Sequence, residues 1–451
     1  MTVTLSRLGA ALLALVPLGA PPPLAQAAPV LPPPLGEVDF APVDPEEAAL
    51  GQLLFYDPIL SGNRNISCAS CHHPRFGTSD GLSLGLGEGA TGLGPARHVT
   101  AENRPEQRIP RNAPALFNLN ARAVTRLFHD GRIEVDPSRP SGLRTPMEEE
   151  MVTGFASVLS AQTMFPVLSP DEMAGHYNEN EVSKAVRSGR ITGPGGAWDK
   201  IAARVRAVPA YQARFAAVYP EIGAGRALDF TDISNAIAAF MALEWRSDSA
   251  PFDAVLRGEA PLAGAAAEGA ALFYGELGCA GCHAGPLLSD QGFHAMGAAQ
   301  IGPGKAERFE SHARDEGRMR VTGRAADRFA FRTPMLRNVL ATGPWGHAGA
   351  EADLRVFLRD HAARGAALAP LQGGAVLPDL PGTKPDFAVM DDPAQRAEIA
   401  AAAAAAGPGR ALSPAEVEAL MAFFETLSDP VALNGRLGVP AAVPSGLPVE
   451  R

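Results

Sequence analysis

Cysteine is scarce in this chain: 451 residues contain four. Positive charge is also in deficit, with 39 Lys and Arg against 49 Asp and Glu and a formal net charge of −10. No basic cluster appears, which argues against a nucleic-acid partner. After the first 27 residues no apolar run is long enough to cross a bilayer, so no membrane span is expected. Strand signals are weak throughout. What the chain does have at its front is Arg7, an apolar run from Leu8 to Leu18, and the small-x-small pattern Ala25-Gln26-Ala27. That pattern predicts a secretory signal peptide over 1–27, because the apolar run is too short for a span. The destination is the periplasm, and a Pro-rich extended lead-in follows over 28–43.

The four cysteines fall into two identical patterns, Cys68-Ala-Ser-Cys71-His72 and Cys279-Ala-Gly-Cys282-His283. C-x-x-C-H is the attachment motif of haem c. Two thiols bond the two vinyl groups on one porphyrin edge, and the next residue brings an imidazole under the iron. A four-cysteine zinc site, two disulfides or a thioredoxin-type pair would not need a His after each pair. Two covalently bound haem c groups are therefore expected, with His72 and His283 as proximal ligands.

The chain also repeats itself loosely. Gly51-Gln-Leu-Leu-Phe-Tyr56 precedes the first motif and Gly269-Ala-Ala-Leu-Phe-Tyr274 the second; Arg111-Asn-Ala-Pro-Ala-Leu116 and His129-Asp-Gly131 follow the first, Arg332-Thr-Pro-Met-Leu336 and His347-Ala-Gly349 the second. An amphipathic helix closes each unit. One carries Ile233, Ile237 and Phe240 on a face. The other opens with the capping box Ser413-Pro-Ala-Glu416 and aligns Val417, Leu420, Met421, Phe424 and Leu427. A third helix opens at Asp44-Pro45, with Leu50, Leu53 and Leu54 facing inward. The expected fold is mainly α: two tandem class I cytochrome c-like domains with long loops, over 44–248 and 249–451. The Ala/Gly/Pro-rich stretch 364–409 carries no assignable role.

These motifs together resemble the bacterial di-haem cytochrome c peroxidase family, which includes MauG. The resemblance rests on Leu54-Phe-Tyr-Asp-Pro-Ile-Leu-Ser61, the two haem motifs, Arg111-Asn-Ala-Pro114, Phe128-His-Asp-Gly-Arg132, Leu336-Arg-Asn338 and Pro344-Trp-Gly-His-Ala-Gly349. It implies an N-terminal haem that meets peroxide and a C-terminal haem that takes electrons from a donor. The family keeps a Gln, a Pro and a Glu above the peroxide-binding iron, matched here by Gln162, Pro166 and Glu172. A carboxylate there can take a proton from the near oxygen of peroxide and return one to the leaving oxygen.

Three departures from the family's pattern follow. Where some members hold a releasable His over the first haem, this chain has Glu88, in Gly85-Leu-Gly-Glu-Gly89. The first haem is then expected to be open or weakly ligated, with His98 as the alternative ligand. Where peroxidases of the family place a Met over the second haem, and MauG a Tyr, the matching position is His361. Leu354, Phe357, Leu358 and His361 share one helical face, so the imidazole is expected on a buried side as sixth ligand; Met335 and Met319 are the substitutes. Where the family has a Trp between the haems stands His129, with Trp345 nearby. The resemblance also implies one calcium ion held by Asn112, Thr342 and Pro344.

Three functions remain open: a peroxidase fed by a small c-type cytochrome or cupredoxin, a MauG-like oxidase of a protein substrate, and a plain di-haem electron carrier. The acidic balance suits a redox partner that is basic or docks through an apolar patch. The family often forms dimers, which leaves a homodimer open.

Overall fold

The computed structural model describes residues 30–100, 102–305, 312–365, 368–371, 374–383 and 385–451; the signal-peptide segment 1–27 lies outside them. Among the described residues helices dominate. The strands are two or three residues long and pair antiparallel: Ala90–Thr91 with His98–Val99, Ile133–Val135 between Arg126–Leu127 and Leu143–Arg144, and Phe293–His294 with Phe331–Arg332.

Each half is organised on one pair of crossed helices. In the first, Pro45–Phe55 starts where the Asp44 carboxylate accepts the Glu46 N–H at 2.9 Å, with Pro45 needing no partner for a missing donor. It packs on Phe230–Glu244, opened by a reciprocal cap between Asp229 and Asp232. The crossing is tight because Gly51 has no side chain: a β-carbon there would overlap the Ala236 carbonyl oxygen. Leu50, Leu54, Phe55, Ile233, Ile237 and Phe240 are buried around it, while Leu53 is half-buried. In the second half Gly264–Tyr274 packs on Pro414–Glu425. Ser413 and Glu416 cap each other as the sequence predicts. Gly269 is the counterpart of Gly51, its missing β-carbon leaving room for the Ala419 carbonyl. The repeat seen in the sequence is thus a repeated helix crossing.

A second repeat is visible only in three dimensions. Asn118 and Asn338 both adopt positive φ, 56° and 62°, which Asn tolerates better than most residues. Each receives in its side-chain oxygen a backbone N–H from the segment after the closing helix, Ser247 at 2.6 Å and Asp429 at 2.7 Å. The Asn338 amide also reaches Ser247 Oγ at 3.1 Å. The joint between the halves is therefore a buried, hydrogen-bonded segment.

The contiguous division at 248/249 does not describe either end of the chain. Leu35 and Phe40, within the expected extended lead-in, are buried in the first core, and Glu37–Asp39 forms a turn of 3-10 helix. The tail after Asp429 returns to the first half. Ala432 and Val443 are buried in its core, with Leu433, Val439, Leu447 and Val449 packed against it. The buried Glu244 carboxylate accepts three successive backbone N–H groups of the tail, from Arg436, Leu437 and Gly438, at 2.6–2.8 Å. Ser445 donates to Asp57, and the Glu450 carboxylate accepts from Ser70 inside the first haem motif. The stretch 364–409 has a place too. Leu380 packs on Leu86 and Ala90, and Asp386 pairs with Arg108 at 2.9 Å, so this segment lies against the loop carrying Glu88.

Glu244→Ala should lower the free energy of unfolding by about 2 kcal/mol, since it removes the buried charged acceptor of three partly exposed backbone N–H groups. Denaturant unfolding of the holoprotein measures it; a loss under about 1 kcal/mol would show that the tail is held by its apolar contacts alone.

Candidate active site

The two C-x-x-C-H motifs fold identically. Each pair of cysteines spans one turn of 3-10 helix, Cys68–Ser70 and Cys279–Gly281. The His N–H then bonds the carbonyl of the first cysteine, at 3.0 Å for His72 and 2.9 Å for His283. In both rings Nδ1 meets a backbone carbonyl at 3.0 Å, Thr78 for His72 and Leu288 for His283. That bond fixes the neutral tautomer with Nε2 as the unprotonated nitrogen, the state an iron ligand needs. Burial depresses both imidazoles' pKa values in support of it. None of the four thiols forms a disulfide. Burial pushes Cys68 and Cys71 up to about 12 and Cys279 up to about 11. Each cysteine pair sits on one turn with its histidine directly after it, so the donor set suits covalent haem attachment.

Beside the second motif His361 lies on the helix Leu354–Ala363, as the periodicity predicts. Its ring centre is 6.3 Å from that of His283. One iron between two imidazole nitrogens, with bonds of about 2 Å, holds ring centres roughly that far apart. Phe357 stacks on His361 at 5.4 Å. Burial is the first cause that drops His361 to about 4, with the neighbouring His283 next. Met319 opens the short helix Met319–Thr322, and Met335 packs against the first core.

The first motif has different company. Gln162 ends the helix Val158–Gln162, Pro166 opens a 3-10 turn, and Glu172 sits in the following turn Pro170–Ala174, packed on it. The Glu172 carboxyl is raised by burial, opposed first by Lys305 and then by Arg132. Its charge is felt at Cys71, which ties it to this haem motif. The Gly85–Gly89 loop lies against the same turn, the Glu88 N–H meeting the Glu172 carbonyl at 3.1 Å. The Glu88 side chain is fully buried, its Oε1 accepting from Asn63, Asn65 and Asn103 at 2.7–2.8 Å. His98 is exposed, its ring engaged by Thr91 and the Ala96 carbonyl; it is not available as a ligand. Asp80, which local sequence did not single out, is 2% exposed and accepts the Leu82 N–H. Burial pushes its carboxyl up to about 7.

Between the two motifs lies a buried polar cluster. Arg111 pairs with Asp130 at 2.7 Å and with Asp315 of the second half at 2.6 Å. His129 meets the Asn112 carbonyl at 3.1 Å, and burial, then the charge of Arg111, hold it near 4. Its repeat counterpart His347 stacks on Phe331 at 3.7 Å, and both ring nitrogens are buried without a partner. Burial takes it to about 3. Asn112 donates from Nδ2 to the Leu82 and Ser83 carbonyls, which leaves its side-chain oxygen for another partner, and its N–H meets the His347 carbonyl. Thr342 donates its hydroxyl to Val339, and Pro344 follows a cis peptide bond. Trp345 packs on the second core with its indole N–H on the Val339 carbonyl.

This is the arrangement of a di-haem redox protein. A family model described as di-haem cytochrome c peroxidase matches residues 45–261. The methylamine utilization protein MauG of Methylorubrum extorquens is 30% identical over 325 residues, 72% of this chain and 70% of that protein. The cytochrome c551 peroxidase of Pseudomonas aeruginosa is 27% identical over 336 residues, 74% and 77% of the two chains. Among solved structures, a MauG-like protein associated with microbial copper homeostasis has a TM-score of 0.55 at 24% identity, over 91% of this chain and 96% of that one. The di-haem peroxidase BthA of Burkholderia thailandensis gives 0.53 at 23%, over 91% and 92%; both likenesses speak for the fold. The chain belongs to the di-haem cytochrome c peroxidase family and is a peroxidase-type oxidoreductase. No described helix is long and apolar enough to cross a membrane.

Asp80 gives a pH signature. Its folded carboxyl prefers the proton up to about 7, the unfolded one only to 3.8. Ionising it therefore costs stability as pH rises from about 4 through 7. Asp80→Asn should match the parent near pH 4 and gain on the order of 2–4 kcal/mol by pH 8. Thermal or denaturant unfolding of both proteins across that range tests this; a constant difference would reject it.

Proposed function

We propose that the protein is a periplasmic peroxidase that reduces hydrogen peroxide to two waters with two protons and two electrons, the electrons coming from a small c-type cytochrome or cupredoxin. The observation that carries this reading is the unlike surroundings of the two motifs. His283 faces a second imidazole, His361. Among the described residues no histidine ring pairs with His72 in that way, and a half-buried carboxyl, Glu172, lies in its neighbourhood instead. When bound, haem supplies an iron that accepts peroxide at the first motif and one that stores and passes electrons at the second.

The chain's own groups divide the remaining work. Cys68 and Cys71, and Cys279 and Cys282, hold the two haem edges, and His72 and His283 present Nε2 from rings locked by their Nδ1 bonds. Glu172 is the general base and then acid at the peroxide oxygens, its burial favouring return of the proton. Gln162 orients the peroxide through its amide, and Pro166 keeps the space above the iron small and free of ligating side chains. Glu88 is held through Oε1 by its three asparagines. His283 and His361 together would hold the second haem, which with two imidazoles would have a lower potential than with a thioether. His129 and His347, both held neutral, line the route between the motifs. Asn112 through its side-chain oxygen, with the carbonyls of Thr342 and Pro344, would hold one calcium ion. Two tandem cytochrome c-like units account for the repeated helix crossing.

A second reading, oxidation of a partner protein's side chain, draws on the 30% identity to the methylamine utilization protein MauG and on the absence of Met at position 361.

Low-temperature EPR of the oxidised protein should show a high-spin ferric signal that disappears on adding peroxide, beside a low-spin bis-His signal that His361→Ala abolishes. Two low-spin signals indifferent to peroxide would point to an electron carrier. Glu172→Gln should slow the stopped-flow reaction with peroxide by about 10²- to 10⁴-fold and leave both haem spectra in place. A variant as fast as the parent would remove Glu172 from the mechanism.

A further inference from the structure

The loop that lies against the Glu172 turn is rich in glycine, with Gly85, Gly87, Gly89 and Gly92 close together. Glycine loses more conformational freedom on ordering than any other residue, so such a loop is costly to fix. It is nonetheless buried: Leu86 is fully enclosed, with Leu380 packed on it. Buried carbonyls need donors, and one side chain supplies three of them. Arg97 stands just before the second strand of the hairpin that pairs Ala90–Thr91 with His98–Val99. Its buried guanidinium donates from Nε to the Leu86 carbonyl, from Nη2 to the Gly87 carbonyl at 2.8 Å and from Nη1 to the Gly92 carbonyl at 2.7 Å. A planar fork of donors can reach three separate acceptors in this way.

The clamped loop has firm contacts on both sides. Inward, it meets the turn carrying Glu172. The Glu88 N–H donates to the carbonyls of Asp171 and Glu172, at 3.2 and 3.1 Å. Gly87 lies so close to the same turn that a β-carbon on it would overlap the Asp171 carbonyl oxygen. The loop therefore cannot shift without shifting the backbone of Glu172. On the other side, Arg97 has one carboxylate at ion-pair distance among the described residues, Glu450 at 3.6 Å. Glu450 also accepts from the hydroxyl of Ser70, which stands between Cys68 and Cys71. A series of direct contacts thus runs from the first haem motif, through Glu450 and Arg97, to the loop and the Glu172 turn.

We propose that Arg97 is a positioning residue of the peroxide pocket, its guanidinium clamping the loop 85–92 against the Asp171–Glu172 turn and tying both to the haem motif through Glu450 and Ser70. This rests on the reading of Glu172 as the base. A base acts only within hydrogen-bond reach of the proton it takes, and misplacing a reacting group by about 1 Å can cost about a hundredfold in rate. The clamp sets the backbone of Glu172 relative to the segment that carries the cysteines, and hence relative to the haem they hold. Arg97 works through backbone carbonyls, away from the reacting oxygens.

The experiment compares the oxidised holoprotein with Arg97→Lys, Arg97→Ala and Glu172→Gln. One readout is hydrogen–deuterium exchange over 85–92 and 169–174, measured without peroxide. The other is the stopped-flow rate with hydrogen peroxide, at a temperature where unfolding curves show each variant folded. In both Arg97 variants the two segments should lose protection together, while Gly264–Tyr274 and Pro414–Glu425 keep theirs. The peroxide rate should fall by about 10- to 100-fold. Added ethylguanidinium should restore protection and rate in Arg97→Ala but not in Arg97→Lys. The lysine variant keeps the charge opposite Glu450, so it carries the test if Arg97→Ala fails to fold. Its single ammonium does not span three carbonyls, so an Arg97→Lys protein as fast as the parent would overturn the proposal. A lysine variant in which 85–92 loosens while 169–174 and the rate stay as in the parent would overturn it too, leaving Arg97 a structural residue only. If Glu172→Gln reacts as fast as the parent, the base assignment fails, whereas the exchange result still reports whether Arg97 holds the turn.

Discussion

The buried guanidinium of Arg111 is the constraint on which the rest of this structure depends. It takes Asp130 from its own half and Asp315 from the other, and both carboxylates are held below their ordinary range by its charge. An arrangement with an unpaired buried charge would be strongly unfavourable, so the relative placement of the halves is set at this point. His129, Asn112 and His347 take their positions around it through backbone contacts. The polar seam between the motifs is thus a consequence of satisfying one cation twice.

The two halves share a scaffold and differ in what they set beside it. Each has a glycine at its helix crossing, a left-handed asparagine tying down the segment after its closing helix, and a proximal histidine locked by a carbonyl. One half adds a helix that carries His361 to His283. The other adds two short turns that carry Pro166 and Glu172. Duplicated folding information with divergent insertions thus gives two like haem motifs unlike surroundings.

Much of this was legible in the residues. The haem motifs are local, and their spacing encodes their geometry. The helix of His361 was readable from its apolar face, and the caps at Asp44 and Ser413 from hydrogen-bonding chemistry. The settings of Glu88 and of the Arg111–Asp315 pair were not readable in the same way. Glu88 stood out only by counting from His72, and its three asparagine partners are 15 to 25 residues away in sequence. Arg111 and Asp315 meet across 204 positions of chain. Charge pairing across a fold leaves no local pattern. The return of the tail to the first half was hidden for a related reason: its apolar residues match any core, and long-range polar contacts at Glu244, Asp57 and Gln52 select the first one.

That selection has a consequence for how the molecule is made. Gln52 reaches the carbonyls of Leu437 and Gly438 across 385 and 386 positions of chain. The core around the first haem motif therefore closes through some of the longest loops the sequence allows, a slow and entropically costly step. Glu450 then settles on Ser70, between the two cysteines that receive the haem. Closing the first core and covering its haem motif are thereby a single event, because the same segment of tail takes part in both.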